Sequence, residues 1–227
     1  LQRSEPPAMR GVELMSTLLA STFSFDVETF VGKLEALADE RERAYAAGER
    51  PVAATAKRIL LTGCPSGGVI NKVGKVIEEH GGVIVCLDDC SGERANRLLV
   101  GRGRRRYPCA PSPIATIAVN CSVMTPNDAR IDNTAAMARA YRADGVVEVV
   151  LQACHTFNVE SSRVQRRMEE EGIPYLKLET DYSAGDGGQV GNPVGRVHRD
   201  AVATAAWWAR MGTHGKFLER IPLRFLA

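Results

Sequence analysis

The chain has 227 residues, 44% hydrophobic and 25% charged, an ordinary globular composition that excludes wholesale disorder, a collagen-like repeat and a coiled coil. Lys and Arg number 29 against 27 Asp and Glu, and a net charge of +2 does not point to nucleic acid or an anionic membrane. No apolar stretch reaches the ~20 residues of a membrane span and no signal pattern opens the chain, so a cytoplasmic address is expected, where six cysteines read as thiols, catalytic groups or metal ligands in place of disulfides.

The chain opens at Leu1 and not at Met, which reads as a piece of something longer, and residues 1–25 show no clear period. From Asp26, a good N-cap, Val27, Phe30, Val31, Leu34, Leu37 and Ala38 follow one helical face up to the Gly48–Pro51 break. Then comes Ile59–Leu61 as a short buried strand, a Gly-rich turn over Gly63–Gly68, a helix over Val69–Glu79, and a strand over Val83–Cys86. Strand, helix, strand is a βαβ unit. The pattern returns as a helix over Asn127–Tyr141, a strand over Val146–Leu151, a helix over Val159–Glu170 and a strand over Tyr175–Leu178. The predicted fold is α/β, a parallel sheet flanked by helices, Rossmann-like or flavodoxin-like. Three parts are expected: an N-terminal helical segment (1–57), an α/β domain (58–190) and a C-terminal tail (191–227).

In such sheets ligands gather beyond the carboxyl ends of the strands, where loops and helix N-termini present free N–H groups. Cysteine stands at several of those ends: Cys64 after the first strand, Cys86 and Cys90 at the second, Cys154 after Val146–Leu151. Cys121 follows the apolar run Ile117–Val119 and precedes a helix, so it reaches toward the same rim. Gly63–Val69 lacks the Walker Lys-Ser/Thr ending and the dinucleotide glycine spacing, so a tight turn is the better reading than a phosphate loop. In Gln152-Ala153-Cys154-His155 a strand ends in a thiol, either a soft metal ligand, a nucleophile or a structural Cys. His155 alone reads as a hydrogen-bonding loop residue, and Glu179–Tyr182 as a turn. The arginine-rich Gly101–Arg106 lacks an aromatic platform or binding module, so nucleic acid is not expected.

Gly63-Cys64-Pro65, the stretch from Gly81-Gly82-Val83 to Cys90-Ser91-Gly92, Cys121 through Asn127, Gln152-Ala153-Cys154-His155, Val159-Glu160-Ser161 and Ile173-Pro174-Tyr175 through Ser183 resemble, in that order, the 2-hydroxyacyl-CoA dehydratase D-component family. That family includes benzoyl-CoA reductase subunits and double-cubane cluster proteins. The likeness runs over roughly residues 5–190 and corresponds to the C-terminal half of a family member. It implies an iron–sulfur component carrying a [4Fe–4S] or double-cubane cluster. Such a component takes low-potential electrons from an ATP-dependent activator protein, works with a sister subunit or as a homodimer, and acts by reductive dehydration or reduction on an acyl-CoA or small-molecule substrate. Soft thiolates at one sheet edge suit iron. By this resemblance Cys154 matches the family's C-terminal cluster cysteine, Cys90 and Cys121 match the double-cubane branch, and Cys64 and Cys86 are expected as structural thiols. Two rival readings are a non-catalytic α/β scaffold and a redox protein using Cys154 with His155.

Two segments depart from the family: Leu99–Ile117, with its arginines, prolines and Cys109, and the tail after Gln189. Codons that encode Asn192–Ala201, read one base forward, can spell Thr-Arg-Leu-Ala-Ala-Phe-Ile-Glu-Met-Leu, similar to the family's closing helix. Cys109–Thr116, shifted by two bases, can spell Arg-Ala-Ile-Ala-Asp-Arg-Tyr. Both segments are therefore expected to be out of the ancestral frame, leaving Cys109, Trp207, Trp208 and His214 without inherited function.

Overall fold

The computed structural model describes residues 1–64, 67–96, 121–123 and 126–182. The segments that carry Cys109, the arginine-rich stretch, the out-of-frame expectation and Trp207, Trp208 and His214 lie outside them. In chain order the elements are α1 (Gly11–Ser21), α2 (Val27–Ala46), β1 (Lys57–Gly63), α3 (Val69–Glu79), β2 (Gly82–Asp88), a short α4 (Glu93–Asn96), α5 (Asp128–Ala140), β3 (Gly145–Leu151), α6 (His155–Glu170) and β4 (Tyr175–Thr180). The strands form one sheet in the order β2-β1-β3-β4, and every pair is parallel. The expected α/β class is what forms.

β1, β2 and β3 are apolar almost throughout because both faces of the sheet are covered. Alternate residues supply the two layers. Ile59, Leu61, Val147 and Val149 pack with Met15, Val73 and Ile77 from α1 and α3. Leu60 and Val146 point the other way and meet Ile131, Ala135, Met137, Val164 and Met168 from α5 and α6. β4 closes one edge with a half-exposed pattern in which Lys177 and Glu179 face solvent, as an edge strand that resists further pairing does.

Two regions differ from the expectations. Residues 1–25 contain α1, whose Met15 is buried in the core. No periodic run announces it because a distant partner holds it. Glu78 of α3 accepts from the Val12 N–H (3.0 Å) and from Arg10 (2.7 Å), and so places a carboxylate at the helix N-terminus. The second difference is α6, which starts at His155 and not at Val159. Ala153 takes a left-handed φ of 64° and turns the chain so that Cys154 becomes the N-cap. For α2 the expectation holds: Asp26 caps it by accepting from the Thr29 N–H at 3.1 Å, which holds its carboxyl below the usual range. This helix buries no residue fully among the described ones, and Arg41–Glu13 ties it to α1 at 2.7 Å.

Gly63 ends β1 at φ 130°, where a Cβ would lie 2.0 Å from the Val149 carbonyl oxygen. Gly68 has helical backbone (φ −63°) with open space around it. Gly63→Ala is therefore expected to destabilise by well over ~1 kcal/mol, while Gly68→Ala stays neutral or stabilises by about 0.4–1 kcal/mol. Urea unfolding of the two variants checks this, and equal effects would contradict it.

Candidate functional site

The order β2-β1-β3-β4 reverses direction between β1 and β3, and in such sheets ligands bind beyond the carboxyl ends of the strands at that point. The chemistry-bearing residues converge there. β2 delivers Asp88, Asp89 and Cys90. The Asp89 Oδ1 accepts from Ser91 N–H (2.9 Å), Ser91 Oγ–H (2.9 Å) and Gly92 N–H (2.8 Å), a turn that swings the chain away from the sheet. Gly92 is required, since a Cβ there would stand 2.0 Å from the Leu87 carbonyl oxygen. Cys90 rides this turn, exposed.

Beneath the turn lies a fully buried ion pair. Arg94 donates from Nε to Asp88 Oδ1 (3.0 Å) and from Nη2 to the Asp88 carbonyl (2.7 Å), with both side chains 2% exposed. The other carboxylate oxygen accepts from the hydroxyls of Thr62 (2.8 Å) and Thr134 (2.9 Å). Burial pushes the Asp88 carboxyl up, but Arg94 and these hydrogen bonds outweigh it and hold it below the usual carboxylate range. A second buried pair stands one layer along. Arg130 donates to Glu148 Oε1 at 3.0 Å, and Tyr175 donates its hydroxyl to Oε2 at 2.6 Å. Burial raises Glu148, against the opposing pull of Arg130. Phe157 links the networks, with its ring 5.9 Å from the Arg94 guanidinium and 5.1 Å from that of Arg130. Arg94 Nη1 and Arg130 Nη1 and Nε are buried without a hydrogen-bond partner, an arrangement that costs about 1–3 kcal/mol per orphaned donor.

Cys90 stands within electrostatic reach of Cys121. The Cys90 thiol is pushed up first by burial and further by Cys121, while Arg94 beside it pulls the other way. Cys121 is half-buried. Its segment is fastened to α6 by Asn127, which donates to Glu160 (2.8 Å) and to the Ser122 carbonyl (3.4 Å). Cys154, half-buried at the start of α6, stands at the same edge but packs toward Cys64, Val150 and Phe157. Among the described residues no three His, Cys, Asp or Glu side chains are grouped to hold a metal ion. Cys64 is buried, with its sulfur accepting from the Leu151 N–H (3.2 Å) and donating to the Val149 carbonyl (3.5 Å). Cys86 is buried beside Leu60, Ile131 and Met137. His155 is exposed, and no hydrogen bond joins it to Cys154 among the described residues. Thr180 and Asp181 receive Lys72 Nζ at 2.9 Å and 3.2 Å; the turn expected over Glu179–Tyr182 is corrected, since Glu179 and Thr180 pair with Val150 and Leu151 as the end of β4.

The ionic residues are what the sequence reading passed over. Glu148 inside the apolar run Gly145–Leu151 was the available signal, because a carboxylate buried in an inner strand requires a partner. Asp88, closing the apolar β2, carried the same message.

The chain matches the family of the 2-hydroxyglutaryl-CoA dehydratase D-component over residues 1–196. It is 37% identical over 195 residues to the Escherichia coli (strain K12) protein named "Putative dehydratase subunit YjiM". That alignment takes in 86% of this chain and 50% of the relative, so the chain spans about half the relative's length. Among the described residues no helix is long and apolar enough to cross a membrane.

Exposure ranks the thiols. Brief iodoacetamide treatment of the reduced chain, followed by peptide mass mapping, is expected to label Cys90 first among the five cysteines of the described residues, and Cys64 and Cys86 only after denaturation. Labelling of Cys64 or Cys86 as fast as Cys90 would contradict the placement.

Proposed function

The chain belongs to the 2-hydroxyglutaryl-CoA dehydratase D-component family, and on that premise we propose that it is an iron–sulfur component of a 2-hydroxyacyl-CoA dehydratase-like enzyme. Cys90, Cys121 and Cys154 would supply thiolates to a [4Fe–4S] or double-cubane cluster. The observation that carries the reading is that Cys90 lies within electrostatic reach of both Cys121 and the buried Arg94, at the carboxyl edge of a parallel sheet. The donor set fits iron–sulfur ligation in kind, since thiols are soft ligands and Arg94 favours the ionised form of Cys90 against the larger effect of burial. It is short in number. The missing ligands would come from outside the described residues, from the further length its relative has, or from a sister subunit.

When bound, the cluster would deliver single low-potential electrons, received from an ATP-driven activator, for dehydration or reduction of an acyl-CoA or small substrate. The chain's own residues would do the rest. Asp88 holds Arg94 in place under the thiols. Phe157 and Val150 form an apolar wall beside Cys154 that keeps water from that side of the site. Asn127 and Glu160 fix the Cys121 segment against α6.

The absence of a three-ligand group among the described residues favours one rival, a non-catalytic scaffold subunit. Iron and acid-labile sulfide analysis after anaerobic purification with the partner subunit separates the two. The cluster reading expects both elements in similar amounts, with Cys154→Ser lowering each by about half or more and lowering redox activity in step. An iron-free preparation with full activity would overturn it.

A further inference from the structure

We propose that the apolar face of α2, together with Phe23 and Phe25 ahead of it, is the docking surface for the half of a family-length subunit that this chain does not span. The inference goes beyond the cluster reading and does not depend on it.

Val27, Phe30, Val31, Leu34, Leu37 and Ala38 recur at the spacing of one helical stripe. In proteins such a helix takes most of its stability from packing that stripe against a neighbour. Yet no residue of α2 is fully buried among the described ones. Phe30, Leu34, Leu37 and Ala38 are half-buried, while Val27 is 65% and Val31 45% exposed. Just before the helix, Phe23 is 72% and Phe25 99% exposed. Four of the eight large apolar side chains left exposed among the described residues thus fall between positions 23 and 31. They form one patch in place of scattered single residues, which marks an interaction surface. The ties that hold α2 to the body lie in its other half: Arg41 pairs with Glu13 at 2.7 Å, and the Tyr45 hydroxyl donates to the Glu5 carbonyl at 3.0 Å. Polar contacts this open to solvent add little stability, and neither covers the stripe.

The family match takes in residues 1–196, so this face belongs to the part of the chain shared with the family. The E. coli relative has as much chain again outside the aligned 195 residues, which make up 50% of it. A segment tethered in the same chain meets the face at an effective concentration on the order of millimolar, whereas a second copy or a separate subunit must first assemble. The four exposed side chains are all apolar and two are aromatic, so the covering surface is apolar protein of the kind found at interface cores.

The test is hydrogen–deuterium exchange read by mass spectrometry on the whole chain and on the full-length E. coli relative, each over a dilution series. Backbone amides of Phe30–Ala38 in this chain are expected to exchange about a hundredfold faster than the aligned amides of the relative, because an uncovered helix opens locally. The relative's protection is expected to be independent of dilution. Equal exchange in the two proteins overturns the proposal. Protection that fades on dilution makes the occupant a second copy, and protection that appears only when a sister subunit is added makes it that subunit; each result overturns the proposal as well. In this chain, Phe25→Ser combined with Val31→Ser is expected to leave the urea midpoint unchanged. A lowered midpoint would mean that the face is already packed, and the proposal would fall.

Discussion

Four separate elements are tied together at one buried carboxylate. Asp88, at the end of β2, binds Arg94 from the short helix after it, Thr62 from β1 and Thr134 from α5. A buried ion pair of this kind is close to neutral when compared with a well-packed apolar substitute, but removing one partner costs about 3–5 kcal/mol. Its value here is geometric. Hydrophobic contacts bring β1, β2 and α5 into one core without fixing how their ends meet, whereas a carboxylate with three committed bonds admits one arrangement. The turn that carries Cys90 starts at the next residue, and its placement follows from that arrangement.

The second network extends the same logic across the sheet. Glu148 on β3 joins Arg130 on α5 and Tyr175 on β4, and Phe157 on α6 lies against both guanidinium groups. The two arginines enter the carboxyl edge from different elements, and each has a carboxylate to itself. The edge is therefore charged, dry and nearly full of committed bonds. The uncommitted groups are informative against that background: orphaned guanidinium nitrogens and thiols on the turn and at the start of α6.

The sheet was legible because parallel strands covered on both faces are continuous apolar runs bounded by glycine and turn residues, and Ile59–Leu61, Val83–Cys86 and Val146–Leu151 all lie inside the observed strands. α3 has the expected bounds, since its apolar face repeats cleanly and Gly68 and Gly81 frame it. α1 was illegible because its N-terminus is satisfied by Glu78, 66 residues away from Val12. The start of α6 was missed because the Gln152–Asn158 segment carries polar residues in the first turn, where tertiary packing of Phe157 decides the matter. Sequence alone placed Cys90, Cys121 and Cys154 near strand ends, but not how their segments are held: that depends on the Asp89 turn and on Asn127. The buried ionic pairs stayed hidden because each member is unremarkable until its partner, distant in sequence, is known.

The proposed soft-metal site at the carboxyl edge takes its thiols from Cys90 and Cys121. Cadmium titration of the reduced, iron-free chain tests it directly through thiolate-to-cadmium charge-transfer absorption, because cadmium prefers sulfur ligands whatever the protein's own metal is. The account expects saturable binding that is lost in Cys90→Ser and in Cys121→Ser and retained in Cys64→Ser and Cys86→Ser. A signal that survives both Cys90→Ser and Cys121→Ser would contradict it.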